Sequence, residues 1–173
     1  MSKTKENLKA AFIGESMVRN KYYFFAQIAR KEGYHYIAKI LEETAENEKF
    51  HALEEFKLLH GEKDTVANLK EAVSGETYES EEMYPKFARE AEAEGNRKAA
   101  ALFSQIVKIE KIHQERFKKI LELIENGKVY KRDEPIRWKC SICGDIINAC
   151  EPPETCPYCN YPREYYEPAN LDV

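Results

Sequence analysis

Hydrophobic residues recur at intervals of three and four over most of the first 126 positions, which is the spacing of the buried face of an α-helix. Glycines interrupt this pattern at Gly33, Gly61, Gly95 and Gly127, and glycine commonly ends helices. The pattern therefore predicts four helices, the third of which begins after Asp64, a favourable N-cap.

The four predicted helices form two copies of one helical hairpin. The segment LKAAFIGE, which ends at Glu15, matches LKEAVSGE, which ends at Glu76, at an offset of 61 residues. Further along, FAQIARKEG matches FAREAEAEG at an offset of 62, so the third helix contains one inserted residue between Glu76 and Tyr84. Because a helix usually absorbs an insertion as a π-bulge, and because Pro85 also disturbs the hydrogen-bond ladder, we expect a π-bulge here.

Acidic residues and histidines lie on the apolar stripes of these helices. The second and fourth helices each contain Glu-x-x-His, in the phrases EKFH and EKIH, and residues three apart share a helix face. The first helix has a single Glu on its stripe, and the third has Glu-x-x-Glu. Carboxylates on a buried stripe are costly unless they are paired or bind a metal. The candidate metal ligands are Glu15, Glu48, His51, Glu76, Glu79, Glu110 and His113.

This set of carboxylates and two imidazoles suits a pair of iron or manganese ions bridged by carboxylates. The same arrangement is known from ferritin-like carboxylate bundles, so the match is to an established pattern. Each acid taken alone is explained by a solvated charge on a Glu-rich helix. A solvated charge does not account for the repeat register of the whole set.

All five cysteines lie in the last 34 residues. Cys140 and Cys143 form one Cys-x-x-Cys pair, Cys156 and Cys159 form another, and twelve residues separate the two pairs. Four thiolates on two short knuckles form a tetrahedral site for iron or zinc, and the metal would supply folding energy that so short a segment lacks. We therefore expect a four-helix domain over residues 1–127, a linker over 128–137 and a metal-knuckle domain over 138–173.

Other residues near the knuckles have structural interpretations. Gly144 and Asn160 directly follow the two knuckles, where a backbone with positive φ is expected. Cys150 has no Cys-x-x-Cys partner and is interpreted as a bystander thiol. The aromatic residues of the tail are expected to pack its small core; they are Trp138, Tyr158, Tyr161, Tyr165 and Tyr166.

Composition excludes several classes of protein. Acidic residues outnumber basic ones by 31 to 27, so no basic surplus is available to bind phosphate backbones and nucleic acid is not an expected partner. No apolar run is long enough to span a membrane, and the first twenty residues lack the pattern of a signal peptide. We expect a soluble cytoplasmic protein that does not bind membranes, in which clustered thiols are metal ligands rather than disulfides.

With both predicted sites in view, the chain resembles the rubrerythrin family over essentially its whole length. The matching segments are FIGES, the two Glu-x-x-His pairs, GETYESEEMYPKFAREAEAEG and a rubredoxin-like CSICG…CPYC. The resemblance implies a mainly α fold, with a ferritin-like four-helix bundle followed by a small rubredoxin-like domain. It also implies a non-haem di-iron centre, an Fe(Cys)4 centre and a peroxidase that reduces hydrogen peroxide to water in defence against oxidative stress.

The resemblance further implies individual roles. Electrons would come from an external reductase or rubredoxin, through the tail iron. His51 would exchange with Glu79 as an iron ligand when the iron changes oxidation state, and Tyr22 and Tyr84 would lie beside the ligands. The implied di-iron ligands are Glu15, Glu48, Glu76, Glu79, Glu110 and His113.

The connection between the two hairpins is short. If they join as in ferritin-like bundles, the chain must return about 30 Å along the bundle between His51 and Glu76. The residues from His60 to Thr65 span only about 20 Å when fully extended. We therefore expect a domain-swapped homodimer, unless the second helix unwinds near Gly61.

Two other interpretations of the chain stay open. An iron-oxidising or iron-storage bundle explains the carboxylates, but gives the cysteine tail no task. Alternatively, the tail is a structural zinc module for protein contact. An absorption spectrum decides whether the tail holds iron or zinc, because Fe(III) tetrathiolate is red and zinc is colourless.

Overall fold

The computed structural model describes residues 2–61 and 63–170 and is mainly helical, as predicted. The helices are α1 (Lys3–Lys31), α2 (His35–His60), α3 (Thr65–Tyr78), α4 (Tyr84–Ala93) and α5 (Arg97–Glu125). A π-helical segment, Glu79–Met83, lies between α3 and α4. The strands are β1 (Ile136–Cys140), β2 (Ile146–Ala149) and β3 (Tyr166–Pro168). The chain divides into two compact units, residues 1–63 and residues 64–173.

The first unit is the helical hairpin of α1 and α2. The turn passes through Gly33, whose φ of 86° is readily adopted only without a Cβ, and the amide of Tyr34 donates to the carbonyl of Ala29. Arg30 of α1 donates two hydrogen bonds to the carboxylate of Glu42 of α2. Small side chains let the two helices approach closely; the buried ones are Ala26, Ala29, Ala38, Ala45 and Ala52.

The second unit repeats this hairpin, with α3, the π-helical segment and α4 together packed against α5. The predicted N-cap Asp64 is confirmed, because its Oδ1 accepts from the Ala67 amide at 2.7 Å, and Asn96 caps α5 in the same way, with its Oδ1 accepting from the Ala99 amide at 3.2 Å. Buried Ala91 stands where the first copy has buried Ala29, and Gly95 ends the helix with a φ of 74°. The internal repeat is therefore structural.

The predicted π-bulge is confirmed. It occupies Glu79–Met83, and the amide of Tyr84 donates to the carbonyl of Glu79, five residues earlier. The segment lies inside the interval that contains the inserted residue, and Pro85 follows it at the start of α4. Ser80, the second residue of this segment, is buried at 1% exposure. The insertion therefore changes the side-chain register in the middle of a ligand-bearing helix.

The tail forms an antiparallel sheet with strand order β2-β1-β3. The predicted positive φ values after the knuckles are confirmed, at 81° for Gly144 and 60° for Asn160. Trp138 is fully buried, and its indole N–H donates to the carbonyl of Ala149 at 2.9 Å. These features hold the two knuckles in fixed positions at the end of the sheet.

The prediction for the tail aromatics was only partly correct. Trp138 and Tyr166 form the core together with Cys140 and Cys156. Tyr158 is instead 79% exposed, and Tyr161 and Tyr165 are also exposed, with their rings packed edge to face 5.1 Å apart. The thiols and two large rings already fill so small a core, and the remaining aromatics lie on its surface.

Within residues 2–61 and 63–170, we find no helix that is long and apolar enough to cross a membrane.

Candidate metal centres

The first unit brings together a triad of predicted ligands, Glu15 from α1 and Glu48 and His51 from α2. One ligand atom from each lies within 4.8 Å of the others. His51 Nδ1 lies 2.9 Å from Glu48 Oε2, one helical turn away, and 3.8 Å from Glu15 Oε2 on the facing helix. Nitrogen and oxygen donors about 2.1 Å from one ion lie at most about 4.2 Å apart, so these spacings suit a shared metal ion.

The second unit builds the same triad from Glu76 of α3 and Glu110 and His113 of α5. His113 Nδ1 lies 2.7 Å from Glu110 Oε2 and 3.5 Å from Glu76 Oε2. Glu76 Oε2 is buried and accepts no hydrogen bond from any described residue. A buried carboxylate oxygen without a donor is unfavourable, and a metal ion at this place would satisfy it.

Repulsion between carboxylates shapes the first triad. The pKa of Glu15 is raised above its ordinary value, first by a hydrogen bond shared with Glu48, then by burial and by the negative charges of Glu48 and Glu55. His51 opposes this shift. The paired acids hold a proton more strongly than a free carboxyl group, and a bound cation would replace that proton.

The second triad also contains a carboxyl group with a raised pKa, but the main cause of the increase is different. Burial is the largest contribution that raises the pKa of Glu76, followed by the hydrogen bond with Glu110 and the charge of Glu110. Glu79 adds to the increase, and His113 opposes it. In both triads, the closely spaced carboxylates would therefore stabilise a bound cation.

The four knuckle cysteines lie close together in the second unit, and their four sulfur atoms are all within 4.8 Å of one another. The sulfurs of Cys140 and Cys159 are 3.7 Å apart, as are those of Cys143 and Cys156. Metal–sulfur bonds of about 2.3 Å place the corners of a tetrahedron about 3.8 Å apart, so the thiols fit a tetrahedral metal. Exposed Cys150 lies outside this cluster, with its sulfur 4.0 Å from the carbonyl of Asp133.

Comparison with known proteins assigns the chain to a protein family. Residues 6–121 match the rubrerythrin family, and residues 138–167 match the rubredoxin-like domain of rubrerythrin. The chain belongs to the rubrerythrin family. This membership confirms a ferritin-like fold with a rubredoxin-like tail, and the residues present fit the iron cofactors of both parts.

Several relatives resemble the chain along nearly its whole length. Rubrerythrin of Porphyromonas gingivalis is 42% identical over 96% of this chain and 90% of its own. Rubrerythrin of Clostridium perfringens is 44% identical over 96% of this chain and 94% of its own. A solved structure of nigerythrin in the fully reduced, all-ferrous state is 34% identical, covers 97% of this chain and 87% of its own, and has a TM-score of 0.38.

Glu79, the extra acid that the rubrerythrin resemblance assigns as a ligand, is not part of the second triad. It is the first residue of the π-helical segment and is half-buried. Its charge helps to raise the pKa of both Glu76 and Tyr84, so it lies near them. The structure therefore places Glu79 beside the triad, with its role as a ligand still a prediction.

Tyr22 and Tyr84, the two tyrosines predicted to lie beside the metal ligands, have different surroundings. Burial is the main cause that raises the pKa of Tyr84, and the charges of Glu79 and Glu110 add to it. Its ring also packs against Phe87 and Phe103. Tyr22 is half-buried, with its ring centroid 6.4 Å from that of Phe25 on the same helix. Tyr84 is thus close to ligand carboxylates, and the role of Tyr22 stays a prediction.

Sequence reasoning missed one acid near the first triad. Glu55 lies one turn beyond His51, and its Oε2 is buried without a hydrogen bond from any described residue. Its charge also raises the pKa of Glu15. The signal was present, because positions 48, 51 and 55 share one helix face, but Glu55 has no counterpart in the repeat, where Phe117 stands.

Proposed function

We propose that the protein is a peroxidase that reduces hydrogen peroxide to water, with two protons and two electrons consumed per peroxide. The observation that supports this most is the combination, in one chain, of two matched Glu-Glu-His triads and a tetrathiolate cluster. Members of this family are generally oxidoreductases. Two ferrous ions held by the triads would supply both electrons for O–O cleavage, and a one-electron tail iron would restore them in two steps.

In this proposal each triad holds one iron through its histidine and its carboxylates. Glu15 and Glu76, whose pKa values are raised by neighbouring carboxylates and burial, lose their protons when the metal binds. Tyr84 keeps its phenol proton at neutral pH, because burial and nearby carboxylates raise its pKa. Its hydroxyl is therefore available as a hydrogen-bond donor close to Glu79 and Glu110.

We further propose that His51 and Glu79 exchange as ligands of the first iron. The side chain of His51 is 57% exposed and that of His113 is 39% exposed, so His51 is the less enclosed of the two. An anionic oxygen donor suits ferric iron, whereas ferrous iron tolerates a neutral imidazole. The exchange would match the charge of the ligand to the charge of the metal. Only the first iron would have a second side chain, Glu79, that can replace its histidine.

A domain-swapped homodimer is the proposed assembly. In the structure α2 ends at His60 and α3 begins at Thr65, so α2 runs nine residues beyond His51 and α3 runs eleven residues before Glu76. Twenty residues of helix correspond to about 30 Å, and the connection spans about 20 Å when extended. Because the connection is shorter than this return, the chain favours a di-iron centre that combines its first triad with the second triad of its partner.

Exposed apolar side chains on the first hairpin agree with that assembly. Several large residues are about half exposed there: Ile13, Met17, Phe25, Ile28 and Phe50. An apolar surface of this kind normally lies in an interface. The proposed occupant is the second hairpin of another copy of the chain.

The peroxidase proposal is tested on the iron-loaded protein, reduced and kept free of oxygen. Stopped-flow mixing with hydrogen peroxide should oxidise the di-iron centre, with one peroxide consumed for every two electrons that the iron loses. The zinc-loaded protein is the matched control, because zinc has no redox chemistry and should consume no peroxide. If the reduced protein reacts with peroxide no faster than with dioxygen, an iron-oxidising role is favoured and the peroxidase proposal is wrong.

A further inference from the structure

Tyr166 lies directly against the tetrathiolate cluster. It is the first residue of β3 and stands opposite Cys140 of β1 in the antiparallel register. Only 3% of its surface is exposed, and it packs in one core cluster with Trp138, Cys140 and Cys156. Its ring is therefore fixed by the sheet and by the core, and its position relative to the thiols is well defined.

The hydroxyl group of Tyr166 has no conventional partner. Its oxygen is buried and makes no hydrogen bond of normal geometry with any described residue. The other large core side chain, Trp138, pairs its N–H with the carbonyl of Ala149. A buried hydroxyl without a partner is destabilising and calls for a specific physical reason.

The neighbour of this hydroxyl is the sulfur of Cys156. Tyr166 and Cys156 are both buried in one packed core cluster, and the Cys156 thiol is a side chain that interacts with the Tyr166 hydroxyl. A phenol has an ordinary pKa of about 10, so the Tyr166 hydroxyl keeps its proton at neutral pH. The phenol is thus a donor next to a sulfur that becomes a thiolate when it binds metal.

We propose that the Tyr166 hydroxyl donates a hydrogen bond to Cys156 Sγ and thereby raises the reduction potential of the iron held by the four cysteines. Reduction of the ferric site by one electron adds negative charge, much of it on the sulfurs. A donor aimed at one sulfur stabilises the reduced form more than the oxidised form. Tyr166 would therefore act on electron transfer through a ligand, as a positioning and tuning residue. The inference rests on the tail holding iron.

The first test is the reduction potential of the tail iron in Tyr166→Phe, which removes the hydroxyl and keeps the ring. The expected result is a lower potential, with the equilibrium constant for reduction about tenfold smaller, which is about 59 mV for one electron. The measurement is a spectroelectrochemical titration of the thiolate-to-iron absorption in the full-length protein. Tyr165→Phe is the matched control, because Tyr165 is exposed, packs on Tyr161 and should leave the potential unchanged.

The second test does not depend on iron. In the protein loaded with ¹¹³Cd, a hydrogen bond to Cys156 Sγ should give a scalar coupling between the Tyr166 hydroxyl proton and the metal. The coupling should be absent in Tyr166→Phe and present in Tyr165→Phe. If the tail holds no iron, this experiment still decides whether the hydrogen bond exists. An unchanged potential in Tyr166→Phe, or no coupling in the parent protein, overturns the proposal.

Discussion

Gln114 Nε2 lies 2.5 Å from Thr77 Oγ1, and this hydrogen bond joins α5 to α3 directly beside two metal-ligand candidates. Gln114 follows His113 in the chain, and Thr77 follows Glu76. Thr77 Oγ1 in turn donates to the carbonyl of Val73 at 2.6 Å. The second triad is therefore held by a buried polar contact between its two helices.

The first hairpin cannot make this contact. The repeat pairs Thr77 with Ser16 and Gln114 with Ala52, and alanine has no polar side chain. The contact lies in the copy that also contains the π-helical segment, which begins two residues after Thr77. We infer that the bond between Gln114 and Thr77 keeps the two ligand-bearing helices in register where the insertion disturbs one of them.

Gln114→Ala should lower the free energy of unfolding of the metal-free protein by about 1–3 kcal/mol, because it removes a buried hydrogen bond and leaves a small cavity. Urea denaturation checks this. Gln105→Ala, at an exposed position of the same helix, should have little effect. A double-mutant cycle with Thr77→Val should show non-additive effects; strictly additive losses would mean that the two side chains do not cooperate.

The raised pKa values of Glu15 and Glu76 predict how the metal-free protein responds to pH. Between the ordinary carboxyl value of 4.5 and the raised values, the folded state binds more protons than the unfolded state. Stability therefore falls as pH rises through that window, and iron affinity rises because the ligands must lose their protons.

Urea midpoints of the metal-free protein between about pH 4 and pH 8 measure this effect. Glu76→Gln, which is neutral at every pH, should make the midpoint less dependent on pH than in the parent. Glu81→Gln, at an exposed position of the π-helical segment, serves as the control and should leave the dependence unchanged. Identical slopes for the parent and Glu76→Gln would show that the raised pKa of Glu76 has no consequence for folding.

Sequence patterns predicted those features that depend on local backbone chemistry. The ends of the helices follow from glycines and from the N-cap Asp64, which forms the expected hydrogen bond. The π-helical segment follows from an offset that changes from 61 to 62 within one helix. The triads follow from residues three apart on a helix face, together with the repeat.

Features that depend on distances between packed side chains could not be predicted. Periodicity places Glu79 on the same stripe as Glu76, but in the structure Glu79 is not one of the three ligand candidates of the second triad. Aromatic content indicated a tail core, but only packing decides that Tyr166 enters it and Tyr158 does not. Glu55 and the contact between Gln114 and Thr77 have no counterpart in the repeat, so the comparison of the two copies did not reveal them.

Glu79→Gln tests the proposed ligand exchange. The triads remain intact in this variant, so the reduced protein should keep its iron. The oxidised protein should lose part of its iron, because the anionic ligand for the first ferric ion is missing. Iron content after gel filtration in each oxidation state is the measurement, with Glu82→Gln as the control from the same segment. Equal iron retention in both states of Glu79→Gln would contradict the exchange.

Cys156→Ser tests the proposed electron relay. One thiolate is lost from the tail, and the triads are untouched, so the di-iron centre should still be reduced by dithionite and oxidised by peroxide. Turnover driven by a reductase or by reduced rubredoxin should fall to background, because the tail iron can no longer pass electrons. Cys150→Ser should retain full turnover, since this thiol lies outside the cluster. Full turnover in Cys156→Ser would exclude a relay through the tail.

The domain-swapped dimer predicts that two inactive variants restore each other. Glu48→Ala removes a ligand from the first triad, and Glu110→Ala removes one from the second. If the two chains are unfolded together and refolded, half of the dimers contain one chain of each kind. In a swapped dimer of this kind, one centre receives both damaged triads and the other receives both intact triads. Peroxide activity should therefore return to about a quarter of the parent value.

A complementary mixture tests the swapped dimer in the opposite direction, through a loss of activity. A chain with both Glu48→Ala and Glu110→Ala is refolded with an equal amount of the parent chain. Mixed swapped dimers then contain no intact centre, so activity should be about a quarter of that of the parent alone, whereas chains that complete their own centres would keep about half. Size-exclusion chromatography must show that every variant remains a dimer. If the single variants stay inactive together and the second mixture keeps half of the activity, each chain builds its own di-iron centre and the swap is wrong.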